Sequence, residues 1–151
     1  DPLTDHGARN YWKSHMFDEV TDELIDLFVE ALERLPGDEC EIFVAQLGGA
    51  PSRVNPSTTA YPHRAAAFMM NVHARWRDAS EDDRCIAWAR EFFDRIEPHA
   101  NGGVYSNFIP EDETDRAASA FGDAYARLSA LKARHDPSGL LRTPANIAAP
   151  A

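Results

Sequence analysis

Hydrophobic and polar positions change period several times along the chain, and each change marks an element. From Tyr11 to Met16 bulky and polar residues alternate, which predicts a short strand. After Thr21, a side chain suited to capping free amides, Leu24, Leu27, Phe28, Ala31 and Leu35 recur at helical spacing. Pro36-Gly37 stops that helix. Glu41 to Leu47 reads as a second strand ended by Gly48-Gly49, and Pro51 to Thr59 as a loop. Arg64 to Trp76 carries the longest strand signal, with Phe68, Met70, Val72, Ala74 and Trp76 on one face and Met69, Asn71, His73 and Arg75 on the other.

Ser80 to Asp83 fits a capping box ahead of a helix whose stripe is Cys85, Ile86, Ala89, Phe92, Phe93 and Ile96, ending near Pro98. Val104 to Ile109 predicts a last strand, in which alternation would place Tyr105 and Asn107 on one face. Acidic Glu111 to Asp115 then opens a long helix with a buried stripe of Tyr125, Leu128 and Leu131 beside Phe121, broken at Asp136-Pro137-Ser138-Gly139. The tail from Leu140 has no period and is expected to fray. This order of elements predicts an α+β fold, a mostly antiparallel sheet with helices packed on one face. The polar face of the Arg64 to Trp76 strand then meets either solvent or a missing partner domain that carries a ligand.

Composition narrows the classes. At 151 residues, with 44% hydrophobic and 26% charged, the chain is long enough for one packed core. A formal net charge of −10, with no basic stripe, argues against nucleic acid as a partner. There is no apolar run long enough to span a membrane, and the start lacks both a signal-peptide pattern and a methionine, so the expectations are no membrane, a cytoplasmic location and a cut or processed end. Cys40 and Cys85 read as buried thiols, and the six histidines fall into no metal-ligand spacing, so no metal is assigned.

Several motifs in order point further. Tyr105-x-Asn107-Phe108, Phe121-Gly122 with Tyr125, Arg127-Leu128, Leu131-Lys132, His135-Asp136-Pro137 and Asn146-Ile147 resemble the C-terminal berberine-bridge-enzyme segment of FAD-linked oxidases. Tyr11-Trp12-Lys13-Ser14, Gly48-Gly49-Ala50 and Ala60-Tyr61-Pro62-His63-Arg64 resemble the substrate-domain signatures of the same family. The resemblance implies residues 1–110 as the C-terminal part of a substrate-binding domain and 111–151 as the family's C-terminal helix and return tail. It implies FAD, held mainly by an N-terminal domain absent from these residues. It also implies hydride transfer from an alcohol, sugar or secondary metabolite, with oxygen as acceptor. The other reading is a free-standing α+β binding module that kept the fold and lost the flavin half.

Roles for individual residues follow from the resemblance. Tyr105 and Asn107 match positions beside flavin and substrate, where a phenol can exchange a proton and an amide can fix a ring edge. Asn146 would anchor the returning tail against the cofactor. Phe108 stands where many relatives carry a second tyrosine acting as base, and a phenyl ring holds no proton. Met69 and Asn71 occupy the zone where several relatives place an acid. His73 is the candidate replacement base, since a free imidazole titrates near neutrality, and a solvent-facing strand histidine is the equal alternative. Gln46, on the neighbouring strand, could line the same cavity as Met69, Asn71 and Phe108 and help bind substrate. His63 and Arg64 read as structural, and Trp12, Trp76 and Trp88 as packing.

Overall fold

The protein is described here by a computed structural model that covers residues 6–110, 113, 116–142 and 147–148. Strand β1 (Arg9–Phe17) leads through helix α1 (Asp22–Leu32) to strand β2 (Glu41–Gln46). Strand β3 (Phe68–Trp76), helix α2 (Asp82–Ile96), helix α3 (Ala117–Phe121) and helix α4 (Tyr125–His135) follow. The strands form one antiparallel sheet in the order β1-β3-β2, so β3 inserts between the two strands that α1 connects. The α+β expectation holds, with α1 and α2 on one face of the sheet.

Register decides which side chains share a face. Cross-strand partners Phe17 and Phe68, His15 and Met70, Lys13 and Val72, and Tyr11 and Ala74 point to the helices. There Phe17, Met70, Val72 and Ala74 close on Leu24 and Ala31 of α1 and on Cys85, Ala89, Phe92, Phe93 and Ile96 of α2. Cys40 and Cys85 are free, buried thiols in this core, and burial raises the Cys85 thiol to about 11. Trp76 and Trp88 pack there too, and the Trp88 indole donates to the Ala31 carbonyl at 3.1 Å. Thr21 caps α1 by accepting from the Leu24 amide.

Other expectations require correction. The strand signal from Arg64 begins only at Phe68, because Pro62 and the Arg64 amide make a tight turn of 2.8 Å first. The Pro51 to Thr59 loop contains two short 3-10 turns. Ser80 does not build the capping box; Asp78 accepts its amide in a preceding 3-10 turn, and α2 starts after it. Val104 to Ile109 is not a strand but surrounds a 3-10 turn, Ser106–Phe108. The reason is visible in the burial: Val104 and Ile109 both pack against Ala120, and an odd spacing of five would send them to opposite faces of a strand.

The long C-terminal helix is broken into α3 and α4 at Gly122, whose φ of +49° lies where L side chains are strained. Its apolar stripe is not buried either. Leu131 is 41% exposed, and Ser129 is the only buried residue of α4. Asp136 ends α4 by accepting the Leu140 and Leu141 amides at 2.8 and 3.0 Å. With Lys132 at 2.6 Å as the main cause, its carboxyl falls to about 2. The Ala148 amide meets the Tyr125 hydroxyl at 3.3 Å, so the tail folds back onto α4 at that point. Among the described residues no helix is long and apolar enough to cross a membrane, and no cluster could hold a metal ion.

Of the acidic stretch expected to open the last helix, the described Glu113 is buried, paired with Lys13 and with Arg116 at 3.0 Å. Lys13 lies 4.1 Å and Arg116 5.2 Å from the centre of the Phe93 ring, and His15 stacks on that ring at 3.9 Å. His15 must donate from Nε2 to the Phe93 carbonyl, 3.2 Å away, because a carbonyl only accepts. Its Nδ1 is buried without a partner.

Burial first, then the Arg116 and Lys13 cations, lower His15 from 6.5 to about 4. A histidine kept neutral in the fold contributes stability above its unfolded pKa and loses it as pH falls toward the folded value. Stability is therefore expected to decline between pH 6.5 and 4, by roughly 3 kcal/mol from this group. Urea midpoints measured across that window will show the decline, and a His15→Gln variant will lack this part of the slope.

Candidate functional site

The sheet face turned away from α1 and α2 carries Trp12, Ser14 and Met16 from β1, Met69, Asn71 and His73 from β3, and Glu41, Phe43 and Ala45 from β2. Loop segments cover one end of it. There Met16, Ala66 and Met69 form a small apolar cluster joined by Ala45, Leu47, Tyr61, Tyr105 and Phe108. Farther along, Ser14 is 1% and Asn71 8% exposed, yet Ser14 Oγ, Asn71 Oδ1 and the Trp12 indole nitrogen have no hydrogen-bond partner. A buried polar atom left unpaired costs on the order of 1–3 kcal/mol, so a row of three marks a face suited to a polar ligand edge.

Tyr105 reaches this face because the chain crosses it at Gly103. The Asn101 amide donates to the Met16 carbonyl at 2.9 Å, and the Asn101 side chain accepts the Gly103 amide at 2.9 Å. A Cβ on Gly103 would stand 2.9 Å from Asn101 Oδ1, 3.0 Å from His63 Nδ1 and 3.1 Å from Met16 Sδ, so only glycine allows the approach. The Phe108 amide then closes the turn on the Tyr105 carbonyl at 2.9 Å. Asn107 Nδ2 donates to the Tyr105 hydroxyl at 3.1 Å. The pairing of Tyr105 with Asn107 therefore survives, through a turn rather than through strand alternation.

A cavity of about 460 Å³ opens beside them, lined by Leu47, Ala60, Tyr61, Met69, Tyr105, Ser106, Asn107, Ala120 and Phe121. The Tyr105 ring stands edge-on to Tyr61 at 6.2 Å and to Phe108 at 5.2 Å. Arg64 braces this corner: it donates to the Pro51 carbonyl and to Thr59 Oγ1, and its guanidinium lies 4.9 Å from the Tyr61 ring centre. His63 Nε2 donates to the Ser119 carbonyl at 3.0 Å, and the Val104 amide lies 3.4 Å from the same nitrogen. Both residues are structural braces, as their place ahead of the strand suggested. Burial pushes the His63 imidazole down and the Tyr61 phenol up.

The sequence-derived candidates separate here. Tyr105, Asn107 and Met69 meet at the cavity, while the Phe108 ring packs behind Tyr105 in the apolar cluster. Asn71 lies one pleat repeat from Met69, about 7 Å along β3 on the same face. His73 is two repeats away, about 13 Å, which takes it from the cavity. Its Nε2 lies 3.0 Å from Asn10 Oδ1 and its Nδ1 3.5 Å from Glu41, an engaged surface pair. Gln46 pairs with Phe68, so its side chain leaves on the helix-bearing side and not with Asn71. Asn146 lies outside the described residues. Tyr61, Ser106, Ala120 and Phe121 were missed, because they sit in loops or at a helix end, where no period reports direction. Trp12 is also more than packing, since its indole nitrogen belongs to the unpaired row.

Comparison with known proteins bears on the family and the fold. Residues 104–148 match the family described as "Berberine and berberine like". The chain is 30% identical over 127 residues to the FAD-linked oxidoreductase YvdP of Bacillus subtilis, covering 84% of this chain and 28% of YvdP. It superposes with a TM-score of 0.79 and 26% identity on GilR, an oxidoreductase of gilvocarcin biosynthesis solved with pregilvocarcin, over 96% of this chain and 33% of GilR. With BBE-like 1 of Physcomitrella patens the TM-score is 0.82 at 20% identity, covering 94% of this chain and 31% of the other, which speaks to the fold. The chain thus spans about a third or less of these relatives.

Substitution of Gly103 by alanine tests the approach that seats Tyr105. The added methyl must displace the Asn101 side chain first, and press on His63 and Met16, at a cost on the order of 1–3 kcal/mol. A lowered melting temperature, with altered Tyr105 fluorescence or ring shifts, is the expected result.

Proposed function

Because the chain carries the berberine-bridge-enzyme-like segment of FAD-linked oxidoreductases and their fold, we propose that it is the substrate-side portion of such an enzyme. In this reading the enzyme oxidises a hydroxyl-bearing small molecule, an alcohol, sugar or secondary metabolite, with oxygen as the final acceptor. One observation supports it above the rest. The helix-free face of the sheet carries buried, unpaired polar atoms beside an open cavity edged by Tyr105 and Asn107.

The residues present fit a flavin. A planar ring system with donors and acceptors along one edge would pack on Met69 and Phe121 and meet the polar groups of Tyr105, Ser106 and Asn107 at the cavity. FAD, held mainly by a domain outside these residues, supplies the hydride-accepting chemistry when bound. This chain binds and orients. Met69, Ala120 and Phe121 exclude water from the apolar body of a substrate. The Tyr105 hydroxyl, already accepting from Asn107, keeps its own proton to donate to a substrate oxygen or to pass on. Asn107 fixes the phenol's orientation, which makes it a positioning residue. We do not place His73 at the reacting centre, given its engagement with Asn10 and Glu41.

In this reading residues 1–110 serve the substrate domain and 111–151 the return segment. The crystal ligand of GilR, pregilvocarcin, a compound of gilvocarcin biosynthesis, favours a secondary metabolite among the substrate classes. The test is direct: the full-length polypeptide that contains this chain is expected to purify yellow with one flavin per chain. Absence of flavin would favour the binding-module reading instead. In the flavin-loaded protein Tyr105→Phe is expected to slow flavin reduction by a substrate on the order of 10²-fold. An unchanged reduction rate would remove Tyr105 from the mechanism.

A further inference from the structure

The cavity holds a second phenol, Tyr61, to which the sequence motif containing it assigned no role at the site. Tyr61 lines it beside Tyr105, with the two rings nearly perpendicular at 86° and their centres 6.2 Å apart. Four polar side chains face the cavity: Tyr61, Tyr105, Ser106 and Asn107. Asn107 is committed to the Tyr105 hydroxyl. The Tyr61 ring is held on three sides, by Tyr105, by His63 at 6.0 Å and by the Arg64 guanidinium. Its hydroxyl makes no hydrogen bond to a described residue. A rigidly placed ring with an uncommitted hydroxyl at a cavity wall is arranged to meet a ligand rather than to satisfy the fold.

We propose that Tyr61 is a ligand-contacting residue, which donates a hydrogen bond to an oxygen carried by a flat apolar ligand in this cavity. The ligand class follows from the lining. Leu47, Ala60, Met69, Ala120 and Phe121 suit an aromatic or alicyclic body, and the phenols of Tyr61 and Tyr105 read its hydroxyl. Partial burial keeps Tyr61 protonated, so it donates and does not act as the base. The Arg64 guanidinium contributes by fixing the ring, since its nitrogens are directed to Pro51 and Thr59. This inference rests on the reading of the cavity as the substrate site, and it adds the residue that selects for a hydroxyl.

The test uses the full-length, flavin-loaded protein and equilibrium dialysis with two probes of the same shape, 2-naphthol and 2-methylnaphthalene. The wild type is expected to retain 2-naphthol about ten-fold more tightly, the contribution of one hydrogen bond. Tyr61→Phe keeps the ring and its packing, and it is expected to remove at least a three-fold part of that preference. Affinity for 2-methylnaphthalene and flavin content are expected to stay unchanged. An intact preference in Tyr61→Phe overturns the proposal, as does an equal loss for both probes, which would mean a packing role. Failure of the wild type to prefer 2-naphthol, or to retain either probe, overturns it as well. Loss of the enzyme reading would instead appear as absent flavin or absent flavin reduction, a separate measurement.

Discussion

The antiparallel register around β3 sets everything else, because it sends each residue of three strands to one of two unlike faces. One face, from Phe17 and Met70 to Ala74, is sealed beneath α1 and α2. The opposite face presents Ser14, Asn71 and Trp12 with polar atoms that the chain itself does not satisfy. A slip of one residue would exchange the faces and bury these groups against the helices. The sheet is therefore stabilised by one side and made available for recognition by the other.

The C-terminal segment depends on this division, for it grips both faces. On the helix side Glu113 pairs with both Lys13 and Arg116, and the two cations lie 4.1 and 5.2 Å from the centre of the Phe93 ring. On the other side Tyr105 and Phe108 join Met16 and Met69. Burying charge is costly unless each group is paired, and here Glu113 is shared between two cations. The neutrality of His15 is part of the same balance, since a third positive charge beside Lys13 and Arg116 would face one carboxylate. The segment that carries Tyr105 is thus fastened by groups remote from the cavity.

Glycines and asparagines place the cavity's chemistry. Gly103 lets the backbone pass against Met16, Asn101 locks that passage, and Gly122 turns α3 so that Phe121 closes the cavity. Tyr105 is then steadied by Asn107 at its hydroxyl and by two aromatic edges at its ring. Such preorganisation is what orientation contributes to catalysis and selective binding.

Much of this was legible without coordinates. Local periodicity determined the elements from β1 to α2, the α+β class and the oily and polar faces of β3, since pleat and helix repeats depend on the backbone alone. The order of the C-terminal motifs was enough to identify the berberine-bridge-enzyme resemblance, and it brought Tyr105 and Asn107 forward. Tertiary structure decided the rest. The Val104 to Ile109 segment has the composition of a strand, but packing of Val104 and Ile109 on Ala120 bends it into a turn. His73 and Gln46 looked like cavity residues until register placed one too far along β3 and the other on the opposite face. The roles of Tyr61 and Glu113 were not legible, although both lie in stretches the sequence marked, because what fixes them is contact with residues far away in sequence, and no period along the chain records such a contact.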